Sequence, residues 1–352
     1  MRPFLHSIIK GERNDLAAWV VRIPLFLASL VYGLAVRSVV FLYTAGILPR
    51  RRLGVPVVSV GNLTVGGTGK TPIVIYLARM LSASQLRPVI LTRGYMPRGS
   101  VRGSEFESDE AQVLREVLQD IPVVVNPDRY QGGLEAIERY KPDVLILDDG
   151  FQHWRLFRDL DIVLIDSADP FGNGQLLPCG ILREPRSSLK RADLLVLTKT
   201  DRADTGALKD QLSVLCSGIP VVETVHRSRS LTRLYTKEFV NISHLSRPVV
   251  AFCGIGDPLS FKAMLVDLGA DVKEFLHFLD HYAYGQEDMK NLRRICDDLG
   301  VRTLVTTRKD AVKLEAFEKF WQGYELFVLN IEIEIVHGQE HLINGINQLS
   351  HR

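Results

Sequence analysis

Residues 61–72, G-N-L-T-V-G-G-T-G-K-T-P, constrain what this chain can fold into more than any other stretch. They follow an apolar run at 55–60, V-P-V-V-S-V, and precede apolar residues at helical spacing over 73–81. A strand, a glycine-rich turn and a helix in that order form the setting of a P-loop. The physics follows from the residue types. Gly66, Gly67 and Gly69 let the backbone curl with its N–H groups facing inward, and those groups, with the helix N-terminus, attract phosphate oxygens. Lys70 brings a cation to the β- and γ-phosphates, and Thr71 brings a hydroxyl to Mg²⁺. The expected nucleotide turn is therefore Thr64, Val65, Gly66, Gly67, Thr68, Gly69, Lys70 and Thr71. Thr64 stands where the strict pattern has its opening glycine. Pro72 fits the first turn of the helix, where a missing N–H costs little.

A second signal is D-V-L-I-L-D-D-G at residues 143–150, four apolar residues closed by two carboxylates and a glycine. It reads as a buried parallel strand. Ligands of an open α/β sheet bind at the carboxyl ends of its strands, so Asp148 and Asp149 suit Mg²⁺, a hard cation that prefers oxygen. The competing reading is a pair of turn-forming aspartates ahead of Gly150. His153, three residues further on, is equally compatible with the site and with a structural role. Further strands are expected at 88–92, 122–125, 161–166 and 193–198, with a helix over 109–119. This alternation predicts an α/β fold: a P-loop NTPase-type, doubly wound parallel sheet.

With 352 residues, the chain is long for one core and points to two domains. After Val225 the pattern breaks; residues 226–233 read as a basic, polar linker. Strands at 248–253, 303–306 and 324–332 and a helix at 261–268 then predict a second, smaller α/β domain. The expected division is 1–48, an N-terminal apolar segment; 49–235, the P-loop core; and 236–352, the smaller domain, contributing to an interdomain active site. The 46% hydrophobic and 24% charged residues are those of an ordinary globular protein. A net charge of +2 gives no global field for nucleic acid, and none is expected as a partner. Cys179, Cys216, Cys253 and Cys296 are scattered without a C-x-x-C pair, so they read as buried free thiols in a reducing compartment.

Residues 16–48 are apolar apart from Arg22, Arg37 and a few small polar residues. The charge-free part, 23–36, is shorter than the ~20 residues a spanning helix requires. Pro24 suits a first helical turn. Arg13, Arg22 and Arg37 can snorkel, Trp19, Tyr32 and Tyr43 suit a water–lipid boundary, and Arg50, Arg51 and Arg52 suit anionic headgroups. The segment reads as a membrane-associated helix, with a buried core helix and a true span as the alternatives.

Taken in order, these motifs resemble the tetraacyldisaccharide 4'-kinases, which phosphorylate a lipid A precursor in Gram-negative bacteria. The resemblance runs over nearly the whole chain. It rests on the residues 61–72 already quoted, R-G-Y at 93–95, S-D-E at 108–110, D-D-G-F-Q-H at 148–153, L-R-E-P at 182–185, D-H at 280–281 and K-D-A-V-K at 309–313. It implies an enzyme that uses ATP and Mg²⁺ on an acylated disaccharide lipid, at the cytoplasmic face of the inner membrane. Lys70 and Thr71 would serve phosphate and metal. Asp148 and Asp149 would form the acidic metal pair, with Glu184 nearby and Arg183 approaching phosphate. Asp109 would be the catalytic base and His281 its partner. Without the resemblance, Asp109 reads as an acidic residue complementing a helix N-terminus, and His281 as a surface or core histidine. Ser108 and Met96 depart from the family pattern, where glycine is usual, and bear on loop geometry.

Two other classes share these features. A P-loop GTPase would use T-K-T-D at 198–201 as a guanine reader, although no D-x-x-G follows the acidic strand. A membrane-bound nucleotide switch would need only the P-loop and the apolar segment. A metal-insertion chaperone fits less well, because no His/Cys cluster with ligand spacing is present.

Overall fold

Val57–Asn62 (β1) is buried along its whole length, Ser59 and Asn62 included. That pattern is dictated by neighbours on both sides and cover on both faces. In the computed structural model, which describes residues 15–94 and 108–351, β1 is the centre of a parallel sheet. On one side it pairs with β4 (Val144–Asp148), then β2 (Pro88–Thr92) and β3 (Val123–Val125) follow. On the other side come β5 (Leu160–Asp166), β6 (Leu194–Thr198) and the first half of β7 (Val221–Arg233). The chain builds outward from β1 to β3, returns to place β4 beside β1, and then crosses to β5. The carboxyl ends of β1 and β4 therefore border the reversal point, where an open sheet leaves a crevice. The strands expected at 55–60, 88–92, 122–125, 161–166 and 193–198 sit within two residues of those observed, whereas the one expected at 324–332 runs on to His337. Arg13, Tyr95 and Met96 lie outside the described residues.

Apolar helical spacing places α2 (Lys70–Ala83) against the sheet through Ile73, Val74, Leu77, Ala78 and Leu81. The first helix, α1 (Leu16–Thr44), has 29 residues and contains Pro24 well inside it. The expectation that Pro24 opens the helix fails because Asp15 is the cap, its carboxylate accepting from the Ala18 N–H. Charge-free length underestimated the helix, since Arg22 and Arg37 sit within it. By length and composition alone it could cross a membrane. The basic cluster is partly committed to the protein: Arg51 lies over the Tyr130 ring, and Arg52 lies over Phe157 and pairs with Asp159 at 2.7 Å. All four cysteines are buried and free.

The chain forms two units: Met1–Arg93, Asp120–Val225 and Ile333–Arg352 in the first, Gly94–Gln119 and His226–Glu332 in the second. This differs from a single division at 235/236. The helix α3 (Asp109–Val117) belongs to the second unit, because the chain leaves the first after β2 and returns before β3. The last residues return to the first unit through β12 (Glu325–His337). The second unit has its own parallel order, β10 (Asp271–His277), β9 (Pro248–Cys253), β11 (Thr303–Thr307) and β12. One core cluster gathers Phe252, Met289, Leu292, Cys296 and Trp321, and another gathers Val249, Phe261, Leu265, Val305 and Phe327. Residues 226–233 are not a linker. They are the second half of β7, which pairs antiparallel with β8 (Phe239–Asn241), Leu231 opposite Val240. Leu231 is the only apolar side chain among them, too little to mark a strand's period of two in the sequence.

A packing constraint next to the acidic turn lies at Gly61. A Cβ there would stand 2.6 Å from the Phe151 Cβ and 2.7 Å from its backbone N. Strand β1 thus passes bare against the loop that follows Asp148 and Asp149. Gly61→Ala should destabilise the protein by about 1–3 kcal/mol through overpacking, read as a lower urea midpoint with unchanged m-value.

Candidate active site

The turn after β1 is shaped by two glycines, Gly66 at φ 133° and Gly69 at φ 83°. Gly67 needs no such freedom, so the contribution assigned to it from sequence is not conformational. Thr64 replaces the opening glycine without strain because it forms an antiparallel bridge with Leu182, and its carbonyl accepts from Asn62 Nδ2 at 2.8 Å. The Val65 N–H donates to the Ile181 carbonyl at 2.8 Å, and the Arg183 N–H to Leu63 at 2.7 Å. The turn is therefore laced to residues 181–183 on one side. On the other, Thr198 Oγ1 donates to the Thr68 carbonyl at 3.1 Å, and Lys199 Nζ reaches Gly67 O at 3.4 Å and Asp166 at 2.6 Å. The T-K-T-D stretch at 198–201, which a GTPase would use to read guanine, is thus occupied at two of its four residues in bracing the turn from behind.

Lys70 and Thr71 open α2, and Pro72 lies in its first turn, where N–H groups lack intrahelical partners anyway. Lys70 Nζ is held by Asn62 Oδ1 at 3.2 Å and faces Asp149 Oδ1 at 3.5 Å. Asp149 follows β4 directly in the left-handed region, φ 52°, a conformation Asp tolerates better than most residues. Arg183 Nη1 clasps both Asp149 oxygens at 2.9 and 2.8 Å. Burial alone would raise the Asp149 carboxyl, but Lys70 and Arg183 outweigh it and hold the group below its usual range. Asp148, buried at the end of β4, accepts from Thr92 Oγ1 at 3.3 Å.

Glu184 is almost wholly buried. Its Oε2 pairs with Arg191 at 2.5 Å, and its Oε1 lies buried without a hydrogen bond. Burial pushes its carboxyl up, against the pull of Arg191. Arg191 in turn is sandwiched by the rings of Phe151 and Trp154, 4.2 and 3.7 Å from their centroids. Among the described residues no three His, Cys, Asp or Glu side chains form a metal cage. The oxygen donors Thr71, Asp148, Asp149 and Glu184, one with an orphaned oxygen, nevertheless fit Mg²⁺, which takes one or two carboxylates and fills its shell with phosphate oxygens and water. His153, pushed down to about 4 by burial and then by Arg129 and Arg158, is a neutral ring rather than a charge.

The second unit holds a separate cluster. Ser108 caps α3, its hydroxyl accepting from the Ala111 N–H. A serine is thus well suited to a position where glycine was expected. The next residue, Asp109, points its Oδ2 at His281 Nδ1, 3.1 Å away, and at Lys313 Nζ, 2.7 Å away. Lys309 Nζ lies 3.3 Å from His281 Nε2 and bridges Glu110 at 3.1 Å and Asp280 at 3.3 Å. Lys309 and Lys313, four residues apart around the short helix α4 (Arg308–Ala311), both reach the start of α3. A lysine only donates, so the ring nitrogen facing Lys309 accepts and Nδ1 carries the proton toward Asp109. Burial would raise Asp109, but hydrogen bonds from His281 and Lys313 bring it below its usual range. His281 is raised chiefly by its bond to Asp109, against burial and Lys309.

The structure puts Asp109 and His281, the two residues the resemblance pairs, in contact, and sets Asp148 and Asp149 at the end of β4. Sequence reasoning missed the cations and amides that fix them: Asn62, Arg191, Lys199, Lys309 and Lys313. The K-D-A-V-K spacing was the available signal for the last two.

Residues 21–350 match the family model described as tetraacyldisaccharide-1-P 4'-kinase. A tetraacyldisaccharide 4'-kinase of Halothermothrix orenii is 35% identical over 95% of this chain and 94% of its own length. That of Geobacter metallireducens is 41% identical over 81% and 86%. The crystal structure of LpxK from Aquifex aeolicus in complex with ATP superposes with a TM-score of 0.74 at 35% identity, covering 94% of this chain and 99% of that one.

Lys199 and Asp166 have side chains only 5% and 13% exposed. Lys199→Met would leave a buried carboxylate unpaired and should cost about 3–5 kcal/mol, measured by urea denaturation.

Proposed function

The chain belongs to the tetraacyldisaccharide 4'-kinase family, and we propose that its two charged clusters divide the chemistry of one phosphoryl transfer. The protein transfers the γ-phosphoryl group of ATP to the 4'-hydroxyl of tetraacyldisaccharide 1-phosphate, a step of lipid A biosynthesis. The observation that carries this reading is the glycine turn with Lys70 held opposite Asp149 at the sheet's reversal point.

Residues Thr64–Thr71 bind the nucleotide phosphates, the turn by its N–H groups and Lys70 by its charge. Thr71, Asp148, Asp149 and Glu184 hold Mg²⁺, which when bound neutralises charge developing on the phosphate oxygens. Asn62 Oδ1 holds Lys70 Nζ at 3.2 Å, so the cation is aimed rather than searching. Asp109 accepts the proton of the acceptor hydroxyl. It is a weak base, and His281 and then Lys313 hold its carboxyl below the usual range against burial. In a loose transition state the proton is lost late, so position counts for more than basicity. His281 orients the carboxylate and shares the positive charge as the proton moves.

The exposed face of α1 carries Trp19, Ile23, Leu27, Leu30, Val31 and Leu34, each more than half exposed. It associates with the inner membrane from the cytoplasmic side and gives access to an acylated substrate. From Tyr32 to Tyr43 the opposite face is engaged by Arg183 and Trp154. A stripe bonded to the soluble unit cannot also be surrounded by lipid, which favours a helix lying at the surface over one that spans.

Mass spectrometry of tetraacyldisaccharide 1-phosphate incubated with ATP and the wild-type protein should show one phosphate gained at the 4'-hydroxyl. Asp109→Asn should lower kcat by roughly 10²–10⁴ with little change in KM for ATP. A phosphate on another hydroxyl, or a pure KM effect, contradicts the assignment. The His281 proton has a pH signature. Its raised pKa keeps the ring protonated to higher pH than the ~6.5 of free imidazole, so the neutral form that can take up charge appears only above that value. The kcat should rise with pH through an apparent pKa above about 6.5 that belongs to the coupled pair, and the limb should vanish in His281→Asn.

A further inference from the structure

The inner stripe of α1 is more specific than membrane anchoring requires. Ser29 and Gly33 are buried on it, and a Cβ at Gly33 would stand 2.7 Å from Leu176 Cδ1, so the helix is pressed against residues 176–183. Beside Gly33, Tyr32 Oη donates to the Arg183 carbonyl at 2.9 Å, across 151 residues of sequence. A tyrosine serving only a lipid boundary would turn its hydroxyl toward headgroups. This one is committed to a carbonyl of the nucleotide site.

Arg183 is bonded in three directions. Its N–H donates to Leu63, just before the glycine turn; its carbonyl accepts from Tyr32; its guanidinium grips Asp149 and, at 3.2 Å, Gln152 Oε1. Two residues earlier, the Ile181 carbonyl accepts from Val65 inside the turn. A shift of residue 183 therefore moves both the turn's entrance and the charge balance around Asp149 and Lys70. We propose that Tyr32 is a positioning residue for phosphoryl transfer: by holding the Arg183 carbonyl it fixes the segment that aims the guanidinium at Asp149 and pins the turn, so the seating of the apolar helix sets the geometry of the nucleotide site. This rests on the kinase reading, in which Lys70 and the turn bind ATP. The hydroxyl does not touch the nucleotide; it acts through Arg183.

Tyr32→Phe keeps the ring and removes only the donor. One neutral hydrogen bond felt at the transition state predicts a fall in kcat of about fivefold. KM for ATP should stay within about twofold, and the melting temperature should fall by no more than about 1–2 °C, the worth of one hydrogen bond in a chain of this size. Hydrogen exchange should quicken at the Val65 and Arg183 amides. Tyr43→Phe removes a hydroxyl from the same helix without touching Arg183 and should behave as wild type. Wild-type kcat and exchange in Tyr32→Phe, beside an inactive Lys70→Ala, overturn this proposal and leave the kinase reading standing. Turnover by Lys70→Ala overturns the reading itself. A fall of more than about 5 °C in the melting temperature of Tyr32→Phe, or an equal loss of kcat in Tyr43→Phe, reduces Tyr32 to ordinary packing and also overturns the proposal.

Discussion

Asp149 stands between two cations, and much of the first unit is arranged to keep it there. Lys70 comes from the helix after β1, Arg183 from a segment thirty-odd positions downstream of Asp149, and both meet a carboxylate that has just left β4 in a left-handed turn. A buried acid without partners would take up a proton and lose its charge. Here the cations hold it ionised. The arrangement works only because β1 and β4 are adjacent and in register, Val60 beside Asp148, so that two turns distant in sequence open on the same edge.

A second set of charges follows different logic. Asp109, His281, Lys309 and Lys313 are each joined to at least one other by a contact of 3.3 Å or less. The lysines determine the protonation pattern. Lys313 keeps Asp109 ionised, and Lys309 makes one imidazole nitrogen an acceptor. The pair can therefore be described as a carboxylate with an oriented imidazole and not as two independent bases. His281 itself lies in the left-handed region, φ 58°, and strain of this kind gathers where a side chain must point one way.

Several elements were legible because a local rule fixed them. The glycine turn, the strand ending in two aspartates and the helix begun by Ser108 each carry a short pattern with one physical meaning. Elsewhere the pattern was too thin. The second half of β7 shows one fully buried leucine among polar neighbours and looked like a linker. The helix α1 hid its length behind two arginines, and Pro24 suggested a beginning that Asp15 supplies instead. The break after Val225 coincides with one passage of the chain between the units, whereas the other three, at 93/94, 119/120 and 332/333, carry no local pattern that marks them.

By itself, the sequence determined the strand–turn–helix of residues 57–83 and the strand that ends in Asp148 and Asp149, because each depends on neighbours a few residues apart. Only tertiary structure decided which cations hold those acids, that Lys199 braces the turn from behind, and that a tyrosine on the apolar helix bonds to Arg183. Contacts across more than a hundred residues leave no spacing to read. They exist because packing brings together a donor and an acceptor that water would otherwise have satisfied separately.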